Sequence, residues 1–376
     1  MLWVRRLFAP PEVSRHAKLI VDYSLSVKKG DYVVVYGTHE SLPLLMGLVK
    51  EIVLRGGYPY VFIHDEMIQE VFYRYAPKEV LELEPKIDKL IIENVDCLVN
   101  VLSSTHTKYL SSIDPEKLKI VSAARKAVQK VFLERSAKGE LRWVVTPYPT
   151  KAMAQDAGMS LIEFANFVWK ALKLYEEDPV KVWIEQSKFQ ERICNMLSKV
   201  DELRIVGEGV DLIAKFGGRK WINDDGKNNM PGGEVFSAPH EDSVEGWIQF
   251  EYPSVYRGYE IEGVKLVFRR GVVIEATAMR GERVLREILE VDEGAKRVGE
   301  FAFGLNYSID RFVKNTLFDE KIGGTIHLAL GASYPETGGK NVSAIHWDLV
   351  KDCRNVRVFA DGDLIYENGK FTESVM

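Results

Sequence analysis

Apolar residues recur along this chain with two different periods, and the dominant period changes once. In the first half, short β-branched runs alternate with helical patterns. "DYVVVYG" (Asp31 to Gly37) predicts a buried strand. It leads into "LPLLMGLVKEIVLRGG", where Leu45, Leu48, Val49 and Ile52 fall at helical spacing. Pro43 suits a first helical turn, and Gly56 with Gly57 suits its end. "YPYVFI" (Tyr58 to Ile63) supplies the next strand, which makes a βαβ unit and so a parallel sheet. "CLVNVLS" from Cys97, "LKIVSA" from Leu118 and "RWVVTPYP" from Arg142 read as further strands of that sheet. Helices are expected over "LIEFANFVWKALKL" from Leu161 and "VKVWIEQSKFQERICNMLSKV" from Val180.

The second half is strand-rich and glycine-punctuated. "DELRIVGEGVDLIAKFGG" and "KLVFRRGVVIEATA" read as strands joined by tight glycine turns. "RVFADGDLIYENGKF" predicts a hairpin turning at Asp361-Gly362. One helix, around "GERVLREILEVDEG", interrupts them. The expected organisation is an α/β N-terminal domain with a mostly parallel sheet, residues 1–198, followed by an α+β domain rich in antiparallel strands, residues 199–376. The length of 376 residues agrees with two cores rather than one.

Composition removes several classes of function. The net charge of -5 and pI near 5.9 give no basic footprint for nucleic acid. No run approaches the roughly 18 apolar residues of a membrane span, and "MLWVRRLFAPPEV" at the start lacks a leader's apolar stretch. Cys97, Cys194 and Cys353 are far apart, so neither a disulfide framework nor a Cys-x-x-Cys clamp is available. A cytoplasmic protein is expected. The 28% charged residues, set among many Val and Ile, lean towards a thermophile. The turn after the first strand, "YGTHESLP", has no Gly-x-Gly-x-x-Gly and no Gly-Lys-Ser/Thr, so the scaffold is not expected to bind a dinucleotide.

The chemistry gathers in the second half. In "SAIHWDLV", His346 and Asp348 alternate with Ile345, Trp347 and Leu349, so in a strand they project side by side from one face. His327 sits inside the apolar run "GGTIHLALG". Glu234 follows "NMPGG", and Glu300 stands in "RVGEFAFGLN". Polar groups in apolar strands need partners. Glu234, Glu300, His327, His346 and Asp348 together form an oxygen and nitrogen set without thiolate, which suits Zn²⁺, Co²⁺ or Mn²⁺ in a hydrolytic site. Three carboxylates among five ligands fit a pair of metals as well. Each residue also has an ordinary alternative: a helix cap for Glu234, a pairing with Lys296 or Arg297 for Glu300, a core histidine for His327, a water-facing strand side for His346 and Asp348. Gly232, Gly233, Gly338 and Gly339 permit tight loops around such a site without requiring one.

"NMPGGEVFSAP", "GEFAFGLN", "GTIHLALGASYPETGGKNVSAIHWDLV" and the closing hairpin resemble the M29 family of metallo-aminopeptidases, densely from Asn229 to Gly369 and more loosely in the first half. The resemblance implies an enzyme that hydrolyses N-terminal residues from peptides through a water activated by two divalent metal ions per chain (zinc, cobalt, manganese or magnesium). It puts the metal ligands on Glu234, Glu300, His327, His346 and Asp348, and a catalytic tyrosine on Tyr334. Glu300 is the expected bridging carboxylate with a part in proton handling. Glu336 is a further carboxylate for the substrate amine. The resemblance also implies a homodimer, with Trp221, Trp247, Tyr252 and Tyr256 available to an interface or to the core. Two other functions share these residues: a dinuclear hydrolase of phosphoesters or amidines, for which Lys340 is the nearby cation, and a silent binding protein of the same fold.

Overall fold

A computed structural model of the chain describes residues 10–256 and 259–373. The start of the chain, residues 1–9, lies outside the described residues. The expected βαβ unit is present: β1 (Tyr32–Gly37) and β2 (Tyr58–Ile63) pair in parallel and are joined through the helix Leu42–Leu54. That helix buries Leu45, Leu48 and Ile52 of the expected face, with Leu44 rather than the half-buried Val49 completing it. β3 (Cys97–Leu102) adds to β1, and β4 (Arg142–Pro147) adds to β3, giving a parallel sheet in the order β2-β1-β3-β4.

"LKIVSA" is not a strand of this sheet. It lies in the helix Pro115–Ala124. Asp114 caps that helix by accepting the Glu116 N–H, and Pro115 fills the first turn, where a missing N–H costs nothing. The local start signal outweighs a short apolar run, whose period alone does not separate helix from strand.

The chain divides into two compact units: Met1–Trp183 with Gly226–Met230, and Ile184–Asp225 with Pro231–Met376. This division falls inside the helix Pro179–Leu197, earlier than the compositional boundary at 198. Packing explains the difference. Trp183 is fully buried in the first unit, where its Nε1 donates to the Leu172 carbonyl at 3.1 Å. Ile193, Cys194 and Leu197 belong to the core of the second. The short return to the first unit is held by two backbone bonds on β4: Val145 N–H to Asn228 O, 2.8 Å, and Met230 N–H to Val145 O, 2.9 Å.

The second unit holds two antiparallel sheets around one core. Its strands are β5 (Glu202–Gly207), β6 (Val210–Lys215), β7 (Ile222–Asp224), β8 (Glu234–Ser237), β9 (Glu245–Gln249), β10 (Ser254–Tyr256), β11 (Tyr259–Ile261), β12 (Lys265–Arg269), β13 (Val272–Thr277), β14 (Val298–Gly304), β15 (Thr325–Gly331), β16 (His346–Asp352), β17 (Val356–Ala360), β18 (Asp363–Glu367) and β19 (Lys370–Phe371). Eight strands run in the order β13-β12-β9-β6-β5-β17-β18-β19 and five in the order β16-β15-β14-β8-β7, with β10 and β11 a separate pair. The core takes Leu203, Ile205, Leu212 and Val358 from the larger sheet and Phe301, Phe303, Leu328 and Leu349 from the smaller. The turn at Asp361 and Gly362, both at positive φ, closes the expected hairpin. Trp221 is a core residue, whereas Trp247 lies under the Lys265 ammonium, Tyr252 stacks on Phe312, and Tyr256 meets Trp347 edge-on.

Trp347 is 3% exposed, and its Nε1 donates to Ser254 Oγ at 2.7 Å. Trp347→Ala is expected to lower unfolding free energy by about 3–5 kcal/mol. Denaturant titration of the purified variant checks this, and an unchanged midpoint would mean that the apolar face of β16 is not a packed face.

Candidate metal centre

The register of the five-stranded sheet decides which side chains meet. Glu300 of β14 pairs with Ala329 of β15, which pairs with Asp348 of β16. In neighbouring rows His327 pairs with Ala302, Glu234 with Gly304, and His346 with Gly331. Directly opposed residues share a face, and successive residues of a strand alternate. Glu234, Glu300, His327, His346 and Asp348 therefore project from one side. Val235, Phe301, Phe303, Ile326, Leu328, Leu330, Trp347 and Leu349 project from the other, into the core. On this face the small residues Ala302, Gly304, Ala329 and Gly331 stand beside the polar ones, with Phe236 and Val350 in the row of His327.

A bulge makes this possible on β14. The register shifts between Val298 and Glu300, with Val298 opposite Leu330 and Glu300 opposite Ala329. The extra residue, Gly299, lets Val298 join the core while Glu300, two positions on, takes the opposite face. Only glycine fits, because a Cβ there would meet the carbonyl oxygens of Gly331 and Ala332 at 2.3 and 2.4 Å.

All five residues come together. Glu300 Oε1 lies 3.3 Å from His327 Nε2, and Glu300 Oε2 lies 3.3 Å from His346 Nε2. Glu234 Oε2 is 3.7 Å from His327 Nε2, and Asp348 Oδ1 is 3.6 Å from His346 Nε2. Two groups of potential ligands result, Glu234-Glu300-His327 and Glu300-His346-Asp348, each with its ligand atoms within 4.8 Å of one another. Each imidazole is aimed by its other nitrogen: Nδ1 of His327 bonds the Glu320 carbonyl at 3.2 Å, and Nδ1 of His346 bonds the Ala332 carbonyl at 2.9 Å. That arrangement turns both Nε2 atoms towards Glu300, as outer partners do for metal-ligating histidines.

Four participants, Lys321, Glu320, Asp224 and Gln190, stand outside the ligand pattern read from the sequence. Lys321 is 1% exposed and lies 3.1 Å from Glu234 Oε1, 3.2 Å from Glu320 Oε2 and 3.5 Å from Asp224 Oδ2. Asp224 sits opposite Glu234 in the β7–β8 register. Gln190 ties those strands together, its Nε2 donating to the carbonyls of Asp224 and Glu234, each at 3.0 Å. The one available signal was charge beside glycine: "DDG" from Asp224 and "DEKIGG" before His327.

The cluster demands positive charge. Burial opposes the charged form of both histidines, yet their hydrogen bonds to Glu300 and the surrounding carboxylates raise His327 to about 10 and His346 to about 9. Burial likewise opposes ionisation of Glu300, but hydrogen bonds from the two histidines hold it at about 2. Burial pushes Glu320 up to about 8, helped by the charge of Asp348. Burial and Glu234 raise Asp224 to about 7 despite Lys321. Asp224 Oδ2, Glu234 Oε2 and Asp348 Oδ1 are buried with no hydrogen-bond partner. Buried carboxylate oxygens left unpaired beside aimed imidazoles are the donor set that divalent cations take.

Similarity to known proteins agrees with this chemistry. The model of the thermophilic metalloprotease family M29 matches residues 10–371. The chain belongs to the M29 metallopeptidases. It is 28% identical to aminopeptidase AmpS of Bacillus subtilis over 92% of this chain and 90% of that one. It is 27% identical to aminopeptidase T of Thermus thermophilus, covering 95% of each. The solved structure of the wild-type AmpT from Thermus thermophilus superposes with a TM-score of 0.83 over 96% of this chain and 99% of that chain, at 25% identity. This M29 chain accordingly has the expected parallel and antiparallel halves.

The remaining candidates lie on one loop. The Tyr334 ring is 5.0 Å from the His346 ring and 5.5 Å from that of Phe236. Its residue is 43% exposed, and partial burial of the hydroxyl with the charge of Glu300 and its neighbours keeps the phenol protonated. Glu336 and Lys340 are exposed. The loop is tied down where the Lys340 N–H donates to Glu241 Oε1 at 2.7 Å, and Glu241 in turn pairs with buried Arg219.

Because the cluster is crowded with like charge, Asp348→Asn is expected to leave the melting temperature of the metal-free protein unchanged or raised. It should also abolish the rise in melting temperature that divalent metal gives the wild type. A lower metal-free melting temperature would mean that Asp348 serves the fold.

Proposed function

We propose that this M29 protein is a metal-dependent aminopeptidase that removes N-terminal residues from peptides through a water activated at two divalent metal ions. The observation that carries this reading is Glu300, whose two oxygens each lie 3.3 Å from the Nε2 of a different histidine. On this reading Glu234, Glu300 and His327 would hold one ion, and Glu300, His346 and Asp348 the other. The donor set supports the count: each of the groups Glu234-Glu300-His327 and Glu300-His346-Asp348 offers two carboxylates and an imidazole.

Divalent ions in such a site polarise a carbonyl and make water a nucleophile near neutral pH. The chain's own residues do the rest. Glu300 fixes the relation between the two ligand groups and shares in proton handling. Tyr334, protonated and beside His346, donates a hydrogen bond to the carbonyl oxygen as negative charge develops there. Glu336, on the same exposed loop, is available to the substrate's ammonium group.

Two further properties belong to this reading. The protein works in a reducing compartment, the cytoplasm: Cys97, Cys194 and Cys353 are buried free thiols, and among the described residues no helix is long and apolar enough to cross a membrane. It is also a homodimer. In support, β2 is an edge strand that exposes Tyr58, Tyr60, Val61, Phe62 and Ile63, an edge unpaired among the described residues and of the kind a second chain covers.

Elemental analysis should find two divalent ions per chain at full activity. N-acetylation of a good peptide substrate should abolish cleavage, because the free amine is gone. Full activity at one ion would end the two-metal reading, and equal rates on free and blocked peptides would end the aminopeptidase reading.

A further inference from the structure

Lys321 is the one lysine buried in the cluster among the described residues, and neither the family match nor the ligand pattern assigns it a role. It stands at the end of the short helix Thr316–Asp319, whose N-cap is Asn315. Its backbone is fixed on both sides: its N–H donates to the Phe318 carbonyl and its carbonyl accepts from the Asn306 N–H, both at 3.0 Å. The side chain therefore enters the cluster from a rigid base. An ammonium has three donors, and three carboxylates surround this one. They are Glu234 through Oε1, Glu320 through Oε2 and Asp224 through Oδ2.

The consequence falls on Glu234. Its two oxygens have different surroundings: Oε1 is 3.1 Å from Lys321 Nζ, whereas Oε2 has no hydrogen-bond partner and is 3.7 Å from His327 Nε2. A carboxylate with one oxygen held by an ammonium has one oxygen left to offer a cation. Small transition-metal ions and Mg²⁺ accept such single-oxygen ligands in four- to six-coordinate shells. Ca²⁺ takes six to eight oxygens, often two from one carboxylate. We infer that Lys321 is a positioning residue that restricts Glu234 to a single ligand oxygen and thereby biases the centre against Ca²⁺. The inference rests on Glu234 being a metal ligand.

The test is isothermal titration calorimetry of metal-free protein with Mn²⁺ and with Ca²⁺, in the wild type, Lys321→Met, Lys321→Gln and Glu234→Gln. Circular dichroism of each variant establishes that it is folded. Loss of an outer partner of a ligand costs about 10–100-fold in metal affinity. Lys321→Met is expected to weaken Mn²⁺ by about that factor and Ca²⁺ by less, so that the ratio of the two dissociation constants moves towards Ca²⁺. Lys321→Gln keeps an N–H donor for Glu234 Oε1 and is expected to lie between the wild type and Lys321→Met. It decides the matter if Lys321→Met does not fold. A general structural role would weaken both ions equally and leave the ratio where it was, which would overturn the inference, as would unchanged affinities. Glu234→Gln separates the two levels. If it retains full Mn²⁺ binding, the ligand assignment fails; if it loses Mn²⁺ while the Lys321 variants keep the wild-type ratio, only the role of Lys321 fails.

Discussion

Five carboxylates on or beside one sheet face, with a single lysine among them, form the constraint on which the second unit turns. Like charges at this spacing in a water-poor setting repel strongly, and each would normally be neutralised or paired. Here the pairing is partial. Lys321 meets three of them, the two histidines meet Glu300, and three carboxylate oxygens stay without a hydrogen bond. A protein that keeps such a cluster has stability to offset it elsewhere, and here that reserve is the opposite face of the same strands. Phe301, Phe303, Leu328, Leu330, Trp347 and Leu349 lie in a core shared with the eight-stranded sheet.

The two faces are bound together by strand geometry. Moving any ligand by one position would exchange it with a core residue, so the apolar packing that stabilises β14, β15 and β16 also fixes the height and row of every candidate ligand. The bulge at Gly299 is the one place where the alternation is interrupted, and it serves both faces at once: Val298 is buried and Glu300 faces the histidines. The outer bonds from His327 to the Glu320 carbonyl and from His346 to the Ala332 carbonyl then remove the rotational freedom that register leaves.

Much of this was legible in the sequence because it depends on period. The alternation in "SAIHWDLV" separates His346 and Asp348 from the packed Ile345, Trp347 and Leu349, and the βαβ pattern of the first half predicts the parallel sheet. "LKIVSA" misled because five or six residues do not distinguish a strand from one helical turn, while the stronger signal, Asp114 before Pro115, lay just outside the run. The domain boundary was hidden for a similar reason. A helix looks the same along its length, and only packing reveals that Trp183 and Ile193 serve different cores. Lys321, Glu320 and Gln190 lie at loop and helix positions that carry no alternation, and Asp224 ends a strand of only three residues, so their place at the site comes from tertiary packing.

The central claim is that Glu300 joins two ion sites on one sheet face. Anomalous diffraction from crystals grown with Mn²⁺, recorded at a wavelength where manganese scatters anomalously, tests it most directly. The account predicts two peaks about 3.5–4 Å apart, one beside each Glu300 oxygen, with His327 on one side and His346 on the other. A single peak, or two peaks of which only one touches Glu300, would contradict it.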